Sequence, residues 1–259
     1  MSNVKEVGTP LSQSFKLSKS QAPKSKHESL EMDQIPYASV VGSIMYIMIC
    51  TRPDLSHALS VTSKYMSDPG KEHWSALKWV LRYLKGSSSC GILFKRCSKV
   101  SQEGVVGYCD ADYATNLDNR KSQSRYLFTL FGSVVSWKSS LQSVVALSTT
   151  EAEYMALTSA VKESFWIQGV AADFGIVQET VPLFCENSSA ICLAQHQYFH
   201  ERSKHIDVRL HFIRDKVENG RVKVVRIDTL HNPAHMFIKV LGRDKFEHCK
   251  ELILVCKKD

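Results

Sequence analysis

Acidic residues stand at two places where a chain can gather ligands for a metal ion. The pattern over residues 105–112 predicts a strand that ends on carboxylates, one of them Asp110. Ser148 and Glu151 have the spacing of a capping box, which predicts a helix start that carries Glu153 in its first turns. The cap alone explains Glu151 as a structural residue, but it gives Glu153 no role. Because carboxylate oxygens suit hard divalent cations, Asp110 and Glu153 are candidate ligands.

The segments around these acids alternate between strand and helix patterns. The predicted order is strands over 105–112, 125–131 and 133–137, a helix over 148–174, a strand over 182–185, helices over 190–194 and 200–219, a strand over 222–227 and a helix over 233–240. Strands that alternate with helices in this way predict an α/β fold, in which helices cover a mixed sheet.

The two ends of the chain have different patterns. Residues 35–95 carry three helical patterns separated by proline and glycine turns, which predicts a small helical module. Residues 1–34 are polar and rich in lysine, which predicts a disordered basic linker; an arm that binds nucleic acid is the alternative. Residues 243–259 are expected to form a helical tail.

Four cations share one face of the predicted helix over 71–85. They are Lys71, Lys78, Arg82 and Lys85. Such a stripe is usually a solvated surface. A surface that follows a phosphate backbone is the alternative, and its binding would weaken as salt rises. The net charge of +7 also favours an acidic partner such as nucleic acid, although many soluble proteins are this basic.

The composition of the 259 residues is that of a globular protein, with 44% hydrophobic and 23% charged residues. The longest apolar run, residues 40–50, is shorter than the roughly 20 residues that cross a bilayer, so no membrane segment is expected. The eight cysteines show neither Cys-x-x-Cys nor zinc-finger spacing, and no signal peptide is visible. We therefore expect reduced thiols in an intracellular protein of the cytoplasm or nucleus that is not secreted.

Several sequence phrases are similar to those of one known family. They are YASVVGS at 37–43, CTRPD at 50–54, HWSALKWVLRYLKG at 73–86, ALSTTEAEY at 146–154 and KHIDVR at 204–209. Together they resemble the C-terminal part of the Pol polyprotein of copia-type LTR retrotransposons. By this resemblance, the helical module corresponds to the tail that follows the reverse-transcriptase palm, and residues 104–242 correspond to the RNase H domain.

The resemblance implies a fold, an activity and partners. The implied fold is RNase H-like, a five-stranded mixed sheet with flanking helices. The implied activity is cleavage of the RNA strand of an RNA–DNA hybrid with Mg²⁺ or Mn²⁺, so the expected partner is a hybrid or RNA. The chain has no Tyr-x-Asp-Asp motif. A polymerase domain on another chain is a further partner that the resemblance suggests.

The family uses four acids as metal ligands, and the resemblance places them residue by residue. Asp110 and Glu153 match the first two positions. Glu186, in the phrase FCENSSA, stands where the family has aspartate, and its side chain is longer by one methylene. His235, in the phrase AHMFIK, also replaces an aspartate. Neutral imidazole suits Zn, Cu or Ni better than Mg²⁺, so His235 is a poor substitute ligand or a proton shuttle.

These two departures predict impaired hybrid cleavage, with Mn²⁺ preferred over Mg²⁺. A module that binds nucleic acid without cleaving it is one alternative, and a decayed or domesticated transposon fragment is another. Asp112 and Asp228 are the acids considered as compensation for the altered positions. A solvated position at the edge of the loop is the simpler interpretation of Asp112.

The basic stretch over 200–214 supplies further candidates for contact with phosphate. Arg202, Lys204 and Arg209 could contact nucleic acid, while a role in packing or at the surface is the alternative. His205 and His211 are six positions apart, instead of the three or four that place two ligands on one helix face. We therefore expect no zinc site from these histidines.

Overall fold

A computed structural model describes residues 4–94, 104–195, 207–237 and 239–257 of the protein. The first part of the chain is helical. Its elements are α1 (Lys26–Asp33), α2 (Tyr37–Cys50), α3 (Ser56–Thr62), α4 (Lys71–Gly86) and the short strand β1 (Cys90–Ile92), with 3₁₀ turns at Lys19–Gln21, Pro53–Leu55 and Ser63–Tyr65.

The second part contains the sheet. Its elements are β2 (Val105–Asp112), β3 (Gln123–Leu130), β4 (Ser133–Leu141), α5 (Thr149–Asp173), β5 (Val181–Cys185), α6 (Ser188–Gln195), α7 (Asp207–Glu218), β6 (Val222–Arg226), a 3₁₀ helix (Pro233–Phe237), α8 (Arg243–Leu252) and β7 (Val255–Lys257). The predicted helix over 233–240 is therefore a shorter 3₁₀ helix, and the predicted strand over 105–112 is confirmed.

The five strands β2 to β6 form a mixed sheet in the order β4-β3-β2-β5-β6. β2, β3 and β4 are antiparallel, whereas β5 runs parallel to both β2 and β6. The β3–β4 hairpin turns at Phe131 and Gly132, both with positive φ, which matches the twist of a two-residue hairpin. The predicted RNase H-like fold, a five-stranded mixed sheet with flanking helices, is thus confirmed.

Each face of the sheet packs on a different set of helices. Alternate side chains of β3 show this, because Phe128 points into the core shared with α5, whereas Leu127 points into the core shared with the helical module. The core shared with the helical module also contains Phe237 of the 3₁₀ helix and Phe246 of α8. The helical module, the sheet and the C-terminal tail therefore share buried surface.

The expectation of a disordered arm does not hold for residues 4–34. Leu11 and Leu17 are buried in the core of the helical module, and Met32 of α1 is buried as well. The Trp79 indole on α4 also donates a hydrogen bond to the Thr9 carbonyl at 2.9 Å. A few well-spaced apolar side chains thus fix a segment that is polar on average.

The C-terminal tail is only partly helical. After α8, strand β7 pairs antiparallel with β1, so that Gly91 lies opposite Cys256. The tail therefore returns to the end of the helical module. Among the residues that the structure describes, no helix is both long and apolar enough to cross a membrane.

Candidate metal centre

Asp110 lies near the end of β2, on the sheet face that carries the 3₁₀ helix and the helical module. The side chain is buried. Its Oδ1 accepts a hydrogen bond from the Ala111 backbone N–H at 2.8 Å. Its Oδ2 is also buried and has no hydrogen-bond partner among the described residues.

Glu153 reaches the site from the start of α5. Ser148 accepts a hydrogen bond from the Glu151 N–H, and the Glu151 carboxylate accepts one from the Leu147 N–H at 2.8 Å. This local structure confirms that Glu151 serves the helix start. Burial raises the pKa of Glu153 well above its usual range, and the Asp110 carboxylate raises it further, so the protonated form is favoured there.

Glu186 follows the end of β5. Because β5 is parallel to β2, with Phe184 opposite Tyr108, the residues two positions further on lie side by side at the same sheet edge. This register brings Glu186 close to Asp110. Both oxygens of Glu186 are held, since Oε1 accepts from the Asn232 amide at 3.1 Å and Oε2 from the Thr229 hydroxyl at 2.8 Å.

Asn232 and the 3₁₀ helix after it place His235. The Asn232 side chain is completely buried. Its amide N–H groups donate to Glu186 and to the Cys109 carbonyl, while its Oδ1 accepts from the Ala234 N–H at 3.1 Å. The sequence interpretation missed this residue, although an Asn-Pro pair before a helix is a turn signal.

The His235 imidazole lies between the two carboxylates. Its Nδ1 is 3.4 Å from Asp110 Oδ2 and 3.8 Å from Glu186 Oε1. One ligand atom of each of the three residues lies within 4.8 Å of the other two. Like the Asp110 Oδ2, the His235 Nδ1 is buried without a hydrogen-bond partner in the described part of the chain. Three of the four predicted positions, Asp110, Glu186 and His235, thus meet at one place. The fourth, Glu153, is close enough to Asp110 for that carboxylate to raise its pKa.

A buried arginine, also missed from the sequence, faces these acids. Arg125 on β3 is directly opposite Asp110 on β2 and is completely buried. Its Nε donates to the Ser139 hydroxyl at 3.0 Å, and its guanidinium also donates to the Gln123 side-chain carbonyl. An arginine at the start of the predicted strand over 125–131 is the signal that could have revealed it, because a charge that becomes buried there needs partners.

The two acids that were considered as replacements for the altered ligands are not part of the group of three neighbouring ligand atoms. Asp112 is two positions from Asp110 on β2, so the two side chains share a strand face. It is half-buried, which corrects the expected solvated position. Burial raises the pKa of Asp112, although the Arg125 charge opposes this effect. Asp228 is exposed. The group of three neighbouring ligand atoms includes neither residue.

The predicted cationic stripe on α4 is largely engaged within the molecule. Lys71 forms an ion pair with Glu31 at 2.6 Å. Arg82 donates to the Lys5 carbonyl at 2.7 Å, and Lys85 to the Val4 carbonyl at 3.1 Å. Lys78 is exposed. The N-terminal segment therefore contacts three of the four cations, while Lys71 and Lys85 remain exposed.

The structure describes one of the three cations that were predicted to contact nucleic acid from the stretch over 200–214. Arg202 and Lys204 lie outside the described residues. Arg209 lies on α7 and is half-exposed. Contact of these residues with nucleic acid stays a prediction.

Known proteins similar to this chain include transposon polyproteins. The chain is 47% identical over 253 residues to the retrovirus-related Pol polyprotein from transposon TNT 1-94 of Nicotiana tabacum, covering 98% of this chain and 19% of that protein. It is 50% identical over 136 residues to the secreted RxLR effector protein 161 of Plasmopara viticola, covering 52% of this chain and 94% of that protein. No protein-family model matches the chain.

Similarity to solved structures is more remote. RNase H1 from the halophilic archaeon Halobacterium salinarum NRC-1 superposes with a TM-score of 0.37 and 15% identity, covering 51% of this chain and 91% of that one. The strand order of the sheet carries the fold assignment without this superposition.

The match covers different fractions of this chain and of its relatives. The chain spans less than a fifth of the length of the Pol polyproteins that it matches. Over almost all of its own length, however, the sequence aligns with them. The chain belongs to the Pol polyproteins of copia-type retrotransposons, and it contains their RNase H-like domain.

Proposed function

We propose that residues 104–242 form an RNase H-type domain in which Mg²⁺-dependent cleavage of RNA in RNA–DNA hybrids is strongly impaired. One observation carries this proposal: the His235 imidazole lies 3.4 Å from the Asp110 carboxylate and 3.8 Å from that of Glu186. By the resemblance, this imidazole stands at the sequence position where the family has a fourth carboxylate.

Impairment follows from the chemistry of the metal ions that this reaction uses. In two-metal sites, the ions lie about 4 Å apart and stabilise the attacking and leaving oxygens. Mg²⁺ demands oxygen ligands in near-ideal octahedral geometry. Replacing a carboxylate by His235 removes one negative charge and supplies nitrogen instead. The donor set of Asp110, Glu153, Glu186 and His235 therefore does not fit a pair of Mg²⁺ ions.

The position of Glu186 supports the same conclusion. Its side chain is one methylene longer than the family's aspartate, and Asn232 and Thr229 hold both of its oxygens. The carboxylate therefore cannot shift without losing hydrogen bonds. A misplacement of about 1 Å in a catalytic site can cost on the order of 10²-fold in rate.

A cleavage assay tests the proposal. Purified protein is incubated with an end-labelled RNA–DNA hybrid in Mg²⁺ and in Mn²⁺, beside the Asp110→Asn variant. We expect cleavage in Mg²⁺ no faster than that of Asp110→Asn, and at most weak cleavage in Mn²⁺. Rapid Mg²⁺-dependent cleavage that Asp110→Asn abolishes would overturn the proposal.

Binding of a hybrid or RNA without cleavage is the second candidate. The net charge of +7 supports it. The engagement of three α4 cations by the N-terminal segment weakens it for that surface. Gel shifts over a salt series decide, because affinity that depends on contact with phosphates falls as salt rises. Lys78→Glu, at the exposed position of the stripe, should weaken such binding only if α4 contacts the nucleic acid.

A further inference from the structure

We propose that Asp110, Glu186 and His235 form a site for one transition-metal ion of the Zn²⁺ or Co²⁺ class, in preference to Mg²⁺. The spacing of His205 and His211 predicts no zinc site, but His235 brings an imidazole to two carboxylates. Two carboxylate oxygens and one imidazole nitrogen are ligands that Zn²⁺ commonly takes in proteins. The inference concerns the same site as the proposed function, but a binding measurement tests it without any cleavage.

The separations between the ligand atoms fit such an ion. Zn²⁺ bonds to nitrogen and oxygen are about 2.0–2.2 Å long, so neighbouring ligand atoms in a tetrahedron lie roughly 3.4 Å apart. The His235–Asp110 separation is 3.4 Å and the His235–Glu186 separation is 3.8 Å. Octahedral Mg²⁺ with bonds of about 2.1 Å would need neighbouring oxygens roughly 3.0 Å apart. These two separations are thus closer to tetrahedral dimensions, and the three ligand atoms all lie within 4.8 Å of one another.

Two atoms of the site lack the partners that buried polar atoms normally have. Asp110 Oδ2 and His235 Nδ1 are both buried, and neither has a hydrogen-bond partner among the described residues. Buried polar side-chain atoms in native proteins nearly always have a partner. A cation bound between them would satisfy both atoms at once. The lack of partners for these two atoms, which lie 3.4 Å apart, is therefore a second reason to place an ion there.

Surrounding hydrogen bonds hold the candidate ligands in place. The Ala111 N–H holds the other oxygen of Asp110, while Thr229 and Asn232 hold Glu186. Such supporting hydrogen bonds are the usual companions of metal ligands. The His235 and Glu186 side chains are 15% and 21% exposed, so an ion can reach the site from solvent.

Titration with Co²⁺, followed by visible absorption, tests the site directly. We expect one Co²⁺ per chain, with the strong absorption of a four-coordinate ion and no thiolate-to-metal charge-transfer band, and we expect Zn²⁺ to displace it. Mg²⁺ at the same concentration should not compete. The charge-transfer band matters because the exposed Cys50 and Cys192 are free and could bind Co²⁺ elsewhere.

Variants assign the signal to the named residues. His235→Ala should weaken Co²⁺ binding at least tenfold, whereas His231→Ala, at an exposed histidine four positions away, should leave it unchanged. His235→Asp should shift the preference towards Mg²⁺. Asp110→Asn provides a second loss of ligand if His235→Ala does not fold, as judged by circular dichroism.

Three results would overturn the inference. They are the absence of saturable Co²⁺ binding, equal binding by the wild type and His235→Ala, and displacement of Co²⁺ by equimolar Mg²⁺. The outcome is separate from that of the hybrid-cleavage assay, since a protein that cleaves in Mg²⁺ contradicts the proposed function whatever its Co²⁺ spectrum.

Discussion

The Asn232 side chain donates a hydrogen bond to the Glu186 carboxylate at 3.1 Å and thereby ties the end of β5 to the 3₁₀ helix that carries His235. The same amide also donates to the Cys109 carbonyl on β2. A single buried side chain thus connects the three chain segments that supply Asp110, Glu186 and His235. The geometry of the site depends on this connection as much as on the ligands.

Asn232→Ala should therefore destabilise the protein. The change leaves the Cys109 carbonyl and the Ala234 N–H buried without their partner, which costs about 1–3 kcal/mol for each unpaired group. Urea unfolding measures the loss. Asn219→Ala is the control, because Asn219 is exposed and its side chain donates to the exposed Asp215 carboxylate at 2.9 Å. Equal stability of the Asn232→Ala and Asn219→Ala variants would contradict this role.

A buried ion pair anchors the helical module. Arg52 donates to Asp54 at 2.7 Å and also to the Ser87 carbonyl at the end of α4. The Tyr83 hydroxyl donates to the same carboxylate at 2.6 Å. Asp54→Ala leaves the Arg52 charge buried and uncompensated, so unfolding free energy should fall by about 3–5 kcal/mol. Asp68→Ala, at an exposed position, should change it little; a loss below about 1 kcal/mol for Asp54→Ala would refute the assignment.

Two glycines should respond in opposite directions to alanine. A Cβ at Gly107 in β2 would lie 2.2 Å from Leu183 and 2.5 Å from Phe128. Gly107→Ala should therefore cost about 1–3 kcal/mol through overpacking. A Cβ at Gly169 in α5 meets nothing within 4 Å. Gly169→Ala should stabilise the helix by about 0.5–1 kcal/mol. Thermal unfolding of both variants checks the contrast, which fails if the shifts have the same sign.

The stability of the protein should fall below neutral pH because of His57. Burial, together with the Arg125 and Lys64 charges, lowers the pKa of His57 to about 3. The folded state therefore keeps His57 neutral while the unfolded chain takes up a proton below about pH 6.5. The stabilisation is complete above that pH and is lost as pH falls towards 3, at a slope of up to about 1.4 kcal/mol per unit.

Unfolding free energies measured between pH 7.5 and pH 5 test this dependence. His57→Gln should flatten the slope, because glutamine cannot take up the proton in the unfolded chain. His248→Gln is the matched control at an exposed histidine and should keep the slope of the wild type. An unchanged slope in His57→Gln would assign the acid sensitivity to other groups.

Local patterns predicted the elements that are stabilised locally. The capping box at Ser148 and the apolar residues after it predicted α5, and the strand pattern over 105–112 predicted β2. The pairing of β1 with β7 has no local signature, since each strand has three residues and the whole five-stranded sheet lies between them in the sequence. The ordered structure of residues 4–34 could not be predicted either. It depends on Leu11 and Leu17, which pack in a core formed by helices that follow later in the sequence.

The candidate site, too, depends on contacts between residues that are distant in sequence. The four positions could be assigned by resemblance, and the parallel register of β2 and β5 explains why Asp110 and Glu186 meet. The role of Asn232 could not be predicted, because its partners lie on strands that are distant in sequence. Nor could the position of the His235 ring between two carboxylates, which depends on the path of the 3₁₀ helix.

The most direct test of the account is the cleavage of a labelled RNA–DNA hybrid in Mg²⁺ by the double variant Glu186→Asp/His235→Asp, beside the wild type. The variant restores four carboxylates of the family's types on a scaffold that is otherwise unchanged. We predict cleavage on the order of 10²-fold or more above the wild type, abolished when Asp110→Asn is added. Equal cleavage by the wild type and the double variant would contradict the claim that these two side chains limit the site.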